Sequence, residues 1–170
     1  NGRELLGIPI RQMQDLWGPE LAMVFQDPMT SLNPLVRVSR QVTEHLHRHL
    51  GVNRDQARQT ALELMREVQI PEPETRLRAF PHELSGGMRQ RVCIAIALAC
   101  EPTLLFADEP TTALDVTVQH QILNLLGREK QERDMTMVLV THDLGVVKGR
   151  ADEIMVMYAG HTMEEAPTTT

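Results

Sequence analysis

The sequence predicts an α/β fold with a mostly parallel sheet, because short apolar segments alternate with segments of helical periodicity. Three of the apolar segments have the composition of buried strands: residues 21–25, 104–107 and 135–140. Polar residues follow each of them directly. Because the carboxyl ends of parallel strands share one edge of a sheet, we expect these polar residues to line a ligand-binding edge.

Length and composition exclude several classes of protein. A chain of 170 residues with a net charge of −6 can bury one ordinary core, and its acidic balance disfavours nonspecific nucleic-acid binding. The longest apolar run, residues 92–100, is shorter than the roughly 18 residues that a membrane span needs.

Cys93 and Cys100 lie two turns apart on one predicted helix, about 10 Å between Cα atoms, so they cannot form a disulfide.

The strongest local indication of a ligand-binding site is a glycine loop that precedes the longest apolar helix. Ser85, Gly86 and Gly87 precede that run. Glycines let the backbone approach a ligand closely, and the first turn of a helix presents unpaired N–H groups and a positive dipole end. The loop is therefore predicted to bind an anion.

The predicted strand ends carry the remaining candidate chemistry. Gln26 follows the first strand, Asp108 and Glu109 end the second, and His142 follows the third. Carboxylate and amide oxygens suit Mg²⁺, so an anion loop beside such a strand end indicates a phosphate and metal site. Taken singly, each residue also has a structural explanation as a cap, a strand-to-turn transition or a core histidine.

The segment between Gln26 and Ser85 is predicted to be a helical insert. One helix has its apolar positions at steps of four from Val38 and ends at Gly51. The next begins at the N-cap Asn53 and ends before Pro71. A turn-rich loop is expected over residues 29–34.

Polar side chains on the predicted helices have two interpretations. His45, His47 and His49 suggest a metal site, but alternate residues of a helix do not converge on one ion, and a solvated polar face is favoured. Arg89 and Arg91 after the glycine loop are interpreted as a solvated helix face rather than as catalytic residues.

Five segments resemble, in order, the Q-loop, signature, Walker B, D-loop and H-loop of ATP-binding-cassette (ABC) ATPases. They are residues 23–28 (MVFQDP), 84–91 (LSGGMRQR), 104–110 (LLFADEP), 113–115 (ALD) and 141–143 (THD). Residues 25–34, 81–85 and 108–117 are similar, more narrowly, to the ATPase subunits of bacterial dipeptide and oligopeptide importers. That group also includes nickel, glutathione and antimicrobial-peptide transporters.

The resemblance implies an incomplete P-loop NTPase-type sheet without its N-terminal strands and Walker A loop. An α/β core of residues 1–32 and 92–170 would carry an α-helical signature subdomain, residues 33–91, inserted between Q-loop and signature. That subdomain would dock on transmembrane subunits.

The resemblance also implies roles for the strand-end residues, with ATP and Mg²⁺ as ligands. Asp108 would hold Mg²⁺, and Gln26 would contact the metal or the attacking water. Glu109 would be the general base, and His142 would contact the γ-phosphate.

The glycine loop would serve a second nucleotide. Ser85, Gly86 and Gly87 would bind the γ-phosphate of ATP held by an opposite ABC ATPase subunit, identical or different, and Asp115 would lie at the dimer seam.

The implied function is ATP hydrolysis that powers import of peptides or related small solutes. The expected partners are transmembrane permease subunits and, indirectly, a substrate-binding protein, but no nucleic acid. The expected location is the cytoplasmic face of a bacterial inner membrane. Two alternatives remain: a soluble ABC ATPase of DNA repair, chromosome organisation or translation, and a non-hydrolysing module that lends its signature loop to a partner ATPase.

The phosphate-loop pattern Gly-x-x-x-x-Gly-Lys-Ser/Thr is not matched. Gly2 and Gly7 have the right separation, but Ile8 and Pro9 stand where lysine and a hydroxyl residue are needed. In the family this loop precedes the Q-loop, so the chain is expected to begin after it. The strand leading into the loop would then be missing as well, which would leave apolar surface of the sheet uncovered, and marginal stability or self-association is expected.

This chain alone is therefore expected to bind Mg-ATP weakly and not to hydrolyse it, because the β- and γ-phosphates lack a backbone cradle and its lysine. A Mg-ATP titration followed by a phosphate-release assay tests this expectation. Micromolar affinity, or turnover that Glu109→Gln abolishes, would contradict it.

Overall fold

The computed structural model describes residues 4–112 and 114–168, so Gly2 and Ala113, named above, lie outside the described residues. Two compact units divide after Leu139, and each is described by itself. The elements up to the end of the sheet are α1 (Ile10–Leu16), β1 (Leu21–Val24), α2 (Pro28–Ser31), α3 (Val38–His45), a π-helical turn (Leu46–Leu50), α4 (Arg54–Glu67), α5 (Pro73–Arg76), a 3₁₀ turn (Pro81–Glu83), α6 (Gly86–Leu98), β2 (Leu104–Asp108), α7 (Val116–Glu132) and β3 (Thr136–Val140).

The second unit carries a helical turn and a hairpin. Its elements are α8 (Leu144–Val147), β4 (Glu153–Tyr158) and β5 (His161–Pro167), with the two strands antiparallel. Ala159 and Gly160 both have positive φ, as a two-residue hairpin turn requires. The Ala159-Gly160 pair predicts a turn from the sequence alone, and the structure confirms it. No helix in either described stretch of the chain is long and apolar enough to cross a membrane.

The first unit is built on a three-stranded sheet in the order β1-β2-β3. β1 and β2 pair in parallel from Leu21 opposite Leu104 to Val24 opposite Ala107, which confirms the predicted parallel pairing. Alternate residues of these two strands are buried and the intervening ones are half-buried. The prediction of fully buried strands is wrong in this respect, because only one face is fully packed. Phe25, 53% exposed, and Val138, 42% exposed, are apolar side chains of this region that remain open to solvent.

Helix α6 forms the centre of the core. Its residues from Val92 onward are apolar around the whole helix, a pattern typical of a buried helix. Accordingly it contacts β1, α2, α3, α4 and α7. Val92, Ile94 and Leu98 are fully buried.

The helices of the insert begin and end where the sequence predicts. α3 continues through the π-helical turn to Gly51, which has a φ of 61°. Asn53 caps α4 in a reciprocal capping box: its Oδ1 accepts from the Gln56 N–H at 2.9 Å, and Gln56 Oε1 accepts from the Asn53 N–H at 3.2 Å. The loop expected over residues 29–34 begins instead inside α2, because Asp27 Oδ1 accepts from the Met29 N–H at 2.8 Å and caps that turn. The proposed division at residues 33–91 stays a prediction.

Arg91 is buried, so the prediction of a solvated face is wrong for this residue. Only 7% of the surface of Arg91 is exposed to solvent. Nη1 donates to the Val68 carbonyl at 2.7 Å, and Nη2 donates to Gln121 Oε1 at 3.0 Å. Arg89 is partly buried, and its Nη1 donates to the Pro81 carbonyl at 3.5 Å. Arg91 therefore links the C-terminal end of α4 to α7.

A buried ionic cluster strengthens the same link. Glu129 on α7 is 1% exposed, and its carboxylate accepts from Arg128 at 2.7 Å and from Arg133 at 3.0 Å. Arg128 also donates to the Glu67 carbonyl at 2.5 Å, and Arg133 donates to the Glu67 carboxylate at 2.6 Å. The buried Glu129 carboxylate is thus paired with two arginines, and α4 is held to α7 by directional bonds.

The candidate metal histidines do not form a metal site. The rings of His45 and His49 stack with centroids 6.1 Å apart, and His47 Nδ1 lies 3.0 Å from the Val52 carbonyl oxygen. Among the described residues, no group of three or more His, Cys, Asp or Glu side chains has metal-binding geometry. Burial, followed by the neighbouring His49, lowers the pKa of His45.

The two cysteines are free and buried, as predicted. Burial raises the pKa of the Cys93 thiol to about 12, and the charge of Asp27 contributes to the same shift. Burial also raises the pKa of Cys100. Since the thiolate is the nucleophile, neither side chain is activated for chemistry, and both serve as small core residues.

Arg91→Met is expected to lower the free energy of unfolding by about 2–4 kcal/mol, because the Val68 carbonyl and the Gln121 amide lose their partner inside the protein. The exposed Arg11 provides a control, and Arg11→Met should change stability by less than about 0.5 kcal/mol. Urea unfolding of both variants measures the difference. A loss below about 0.5 kcal/mol for Arg91→Met would show that the link is not stabilising.

Candidate functional site

The parallel register brings two of the predicted site residues together. Val24 lies opposite Ala107, so the same register places Gln26 opposite Glu109, just beyond the carboxyl ends of β1 and β2. Gln26 Nε2 donates to Glu109 Oε2 at 2.8 Å, and Thr112 Oγ1 donates to the same oxygen at 2.8 Å. The Glu109 carboxylate is thereby held at the strand edge by two hydrogen bonds.

Glu109 also has an unusual backbone conformation. Its φ is +42°, in the left-handed region that residues other than glycine rarely adopt. Such a conformation costs on the order of 1–3 kcal/mol and persists only where the surroundings impose it. Here the Thr112 N–H donates to the Glu109 carbonyl at 3.1 Å, and the following Pro110 is buried. The turn therefore sets the direction of the Glu109 side chain.

The donor atoms at this edge fit Mg²⁺. Asp108, the last residue of β2, offers a half-buried carboxylate. The amide nitrogen of Gln26 is bonded to Glu109, so its Oε1 is the atom left to accept from a water or to face a cation. Mg²⁺ is typically held by one or two protein oxygens together with waters and phosphate oxygens, so a small oxygen donor set suits it.

The glycine loop packs against the start of α7. Ser85 is the N-cap of α6, and its Oγ accepts from the Met88 N–H at 3.3 Å. A Cβ on Gly87 would lie 2.8 Å from Val118 Cγ1, whereas a Cβ on Gly86 would lie an ordinary 3.6 Å from Leu114 Cδ2. Gly87 therefore allows the first turns of α6 and α7 to touch.

Asp115 belongs to the same region of the fold. It is the N-cap of α7, and its Oδ1 accepts from the Val118 N–H at 3.0 Å. The N-terminal ends of two helices thus meet at the contact between Gly87 and Val118, and both present the positive ends of their dipoles there. This arrangement favours an anion, and the roles predicted for Ser85, Gly86, Gly87 and Asp115 stay predictions.

His142 lies in the second unit, and its side chain is exposed. Its neighbours in the chain give the loop a defined shape: the Asp143 N–H donates to Thr141 Oγ1 at 3.1 Å, and Asp143 Oδ1 accepts from the Gly145 N–H at 2.8 Å. The role predicted for His142 at the γ-phosphate stays a prediction.

Sequence reasoning missed two residues of the candidate site. Thr112 follows Glu109 by three residues, the spacing of a turn, and this spacing was the available signal for its bond to the carboxylate. Val118 had no such signal, because its contact with Gly87 joins residues far apart in the chain.

Gly87→Ala is expected to lower the free energy of unfolding by about 1–3 kcal/mol, because the new methyl group would overlap Val118. The β-branched side chain of Val118 has few χ1 rotamers available and cannot easily move away. Adding Val118→Ala should restore most of that loss, whereas Gly86→Ala should cost clearly less than Gly87→Ala. Thermal unfolding of these variants, of the single variant Val118→Ala and of the unsubstituted protein measures the coupling. Equal costs for the two glycine variants, or no rescue, would contradict the close packing.

The comparison with known proteins agrees with these motifs. The sequence model of the ABC transporter family matches residues 2–112. The chain is 52% identical over 164 residues to the oligopeptide transport ATP-binding protein OppD of Salmonella typhimurium, covering 96% of the chain and 49% of that protein. It is also 52% identical to the dipeptide transport ATP-binding protein DppD of Escherichia coli, covering 96% of the chain and 50% of that protein. The chain therefore spans about half the length of these relatives.

Solved structures give the same result for the fold. The dimeric ATP-binding cassette MJ0796 in a post-hydrolysis state, bound to ADP and phosphate, superimposes with a TM-score of 0.84 at 29% identity, covering 96% of the chain and 69% of that protein. The α/β fold with a parallel strand pair is thus shared with known ATP-binding cassettes. On the strength of the family match and of these motifs, the chain belongs to the ABC transporter family.

Proposed function

We propose that this chain is part of an ATP-hydrolysing subunit that powers the import of peptides or related small solutes through a membrane transporter. The observation that carries the proposal is the hydrogen bond between Gln26 and Glu109 at the carboxyl edge of the sheet. The names of the two relatives described above, which are oligopeptide and dipeptide transport ATP-binding proteins, support the peptide class of cargo.

Glu109 is the general base of the proposed reaction. Its carboxylate accepts a proton from a water molecule as that water attacks phosphorus, a role that requires a base within hydrogen-bond reach of the water. Gln26 and Thr112 both donate to Oε2 and so fix the orientation of the carboxylate. Gln26 is also the residue through which contact with bound nucleotide reaches the neighbouring loop at residues 27–34.

Asp108 and Gln26 would hold Mg²⁺, which when bound neutralises charge on the phosphate oxygens. Ser85, Gly86 and Gly87 would bind the γ-phosphate of ATP on a second ABC ATPase subunit. Two features support this role: the N-terminal end of α6 and the lack of side chains at both glycines. Asp115 would lie at the seam between the subunits, and His142 would contact the γ-phosphate. The dimeric state of the solved cassette supports a paired arrangement.

The partners follow from the proposed importer. Transmembrane permease subunits would contact the helices of residues 33–91, and a substrate-binding protein would act on the other side of the membrane. The protein would then work at the cytoplasmic face of a bacterial inner membrane. The transport names of the relatives favour this assembly over a soluble ABC ATPase of DNA repair, chromosome organisation or translation.

In the full-length protein assembled with its membrane subunits, Glu109→Gln is expected to lower ATP turnover by about 10²–10⁴-fold, because the amide cannot accept the proton of the attacking water. ATP binding should persist, since Gln keeps the size and hydrogen-bonding capacity of the side chain. Phosphate release and nucleotide affinity are measured separately.

Glu101→Gln is the matched control for this variant. Glu101 is an exposed glutamate that also has positive φ, but it precedes β2 and so lies at the opposite end of the strand. Its substitution should leave turnover within about twofold. Turnover by Glu109→Gln above a tenth of the unsubstituted rate would exclude Glu109 as the general base.

A further inference from the structure

A groove with basic walls lies among the helices that precede the glycine loop. Its walls come from α3, the π-helical turn, α4 and the residues around α5, and it has a cavity volume of about 1010 Å³. This volume is at the upper end of the range for small-molecule sites. None of the strand-edge residues, Gln26, Asp108 or Glu109, lines it. We call this cavity the arginine groove, after five side chains that line it: Arg40, Arg48, Arg54, Arg58 and Arg78.

The five arginines of the groove have no partner in the described part of the chain. Their side chains make no hydrogen bond or ion pair with any described residue. Neighbouring arginines outside the groove behave differently. Arg66 pairs with Glu74 at 2.6 Å, and Arg37 lies 4.8 Å above the ring of Phe80. Within residues 33–91, the arginines whose side chains lack such a partner are therefore the five that line the groove.

The charge of the groove contrasts with that of the whole chain. The chain carries a net charge of −6, yet the groove is lined by five arginines and only two glutamates, Glu44 and Glu74. Glu74 is already engaged by Arg66 outside the groove lining. Arg54 and Arg58 lie one turn apart on α4, a spacing at which like charges repel. A bound anion would relieve this repulsion.

The chemistry of the guanidinium groups indicates the kind of anion. Arginine binds phosphate oxygens bidentately, and several arginines around one cavity require a ligand with several negative charges in a small volume. Linked phosphate groups meet that requirement. Because the groove is concave, a soluble molecule can enter it more fully than the headgroups of a flat bilayer can.

We propose that the arginine groove binds a soluble, multiply phosphorylated anion, at a site separate from the strand edge that holds Glu109. The recognised chemistry is a chain of linked phosphates, as in inorganic polyphosphate or the phosphate tail of a nucleotide. Binding there would be electrostatic and therefore sensitive to ionic strength.

Calorimetric titration of the chain with inorganic tripolyphosphate tests the proposal. The double variant Arg54→Glu/Arg58→Glu is expected to weaken binding at least tenfold and to reduce its salt dependence. Both residues are exposed, and Arg54 is the first residue of α4, where a negative charge is favoured by the helix dipole, so the variant should fold. Circular dichroism and thermal unfolding check this.

A control protein makes the result specific. Arg11→Glu makes the same charge reversal at one exposed arginine outside the groove, and it should alter the affinity for tripolyphosphate by less than twofold. Unchanged binding by the folded groove variant, or absence of tripolyphosphate binding to the unsubstituted chain, would overturn the proposal.

Vesicles separate the soluble ligand from a membrane surface that offers the same phosphate chemistry. Vesicles of phosphatidylglycerol and vesicles of phosphatidylcholine are compared by co-sedimentation. Tripolyphosphate binding without retention on either vesicle supports the proposal. Retention on phosphatidylglycerol that requires Arg54 and Arg58, without tripolyphosphate binding, would replace the soluble anion by a lipid headgroup.

Discussion

The burial of α6 is the constraint on which the rest of the first unit depends. This one helix contacts a strand and four other helices, and its apolar residues lose their exposure to water on every side. Because α6 cannot shift without opening that core, its N-terminal end is held in place as well. The loop of Ser85 and Gly87 is therefore positioned by hydrophobic packing several residues away from any ligand it would contact.

Directional bonds supplement this packing where α4 meets α7. Arg91 and Glu129 are both buried and both fully engaged, Arg91 by a carbonyl and an amide, and Glu129 by two arginines. Apolar contacts tolerate small slides between helices, but a buried charge that loses its partner is costly. These bonds consequently favour one relative position of the two helices.

The candidate binding sites of this chain differ in the sign of their charge. The strand edge carries carboxylates, which suit a cation and proton transfer, whereas the paired ends of α6 and α7 carry positive dipole ends, which suit phosphate. The proposed dimer joins these two kinds of surface from different subunits around one nucleotide. The arginine groove adds a third, strongly positive place to a chain that is acidic as a whole, and its phosphate chemistry is independent of the proposed hydrolysis.

Local features of the sequence were sufficient to predict the order of helices and strands, the Asn53 cap, the turn at Gly160 and the cassette motifs, because each depends on residues close together in the chain. Contacts between distant segments were not predictable in this way. The strand register that joins Gln26 to Glu109, the closeness of Gly87 to Val118 and the burial of Arg91 all arise from packing across the core. An arginine on an exposed helix and one bonded inside the core look alike in sequence, since burial is a property of what surrounds a side chain.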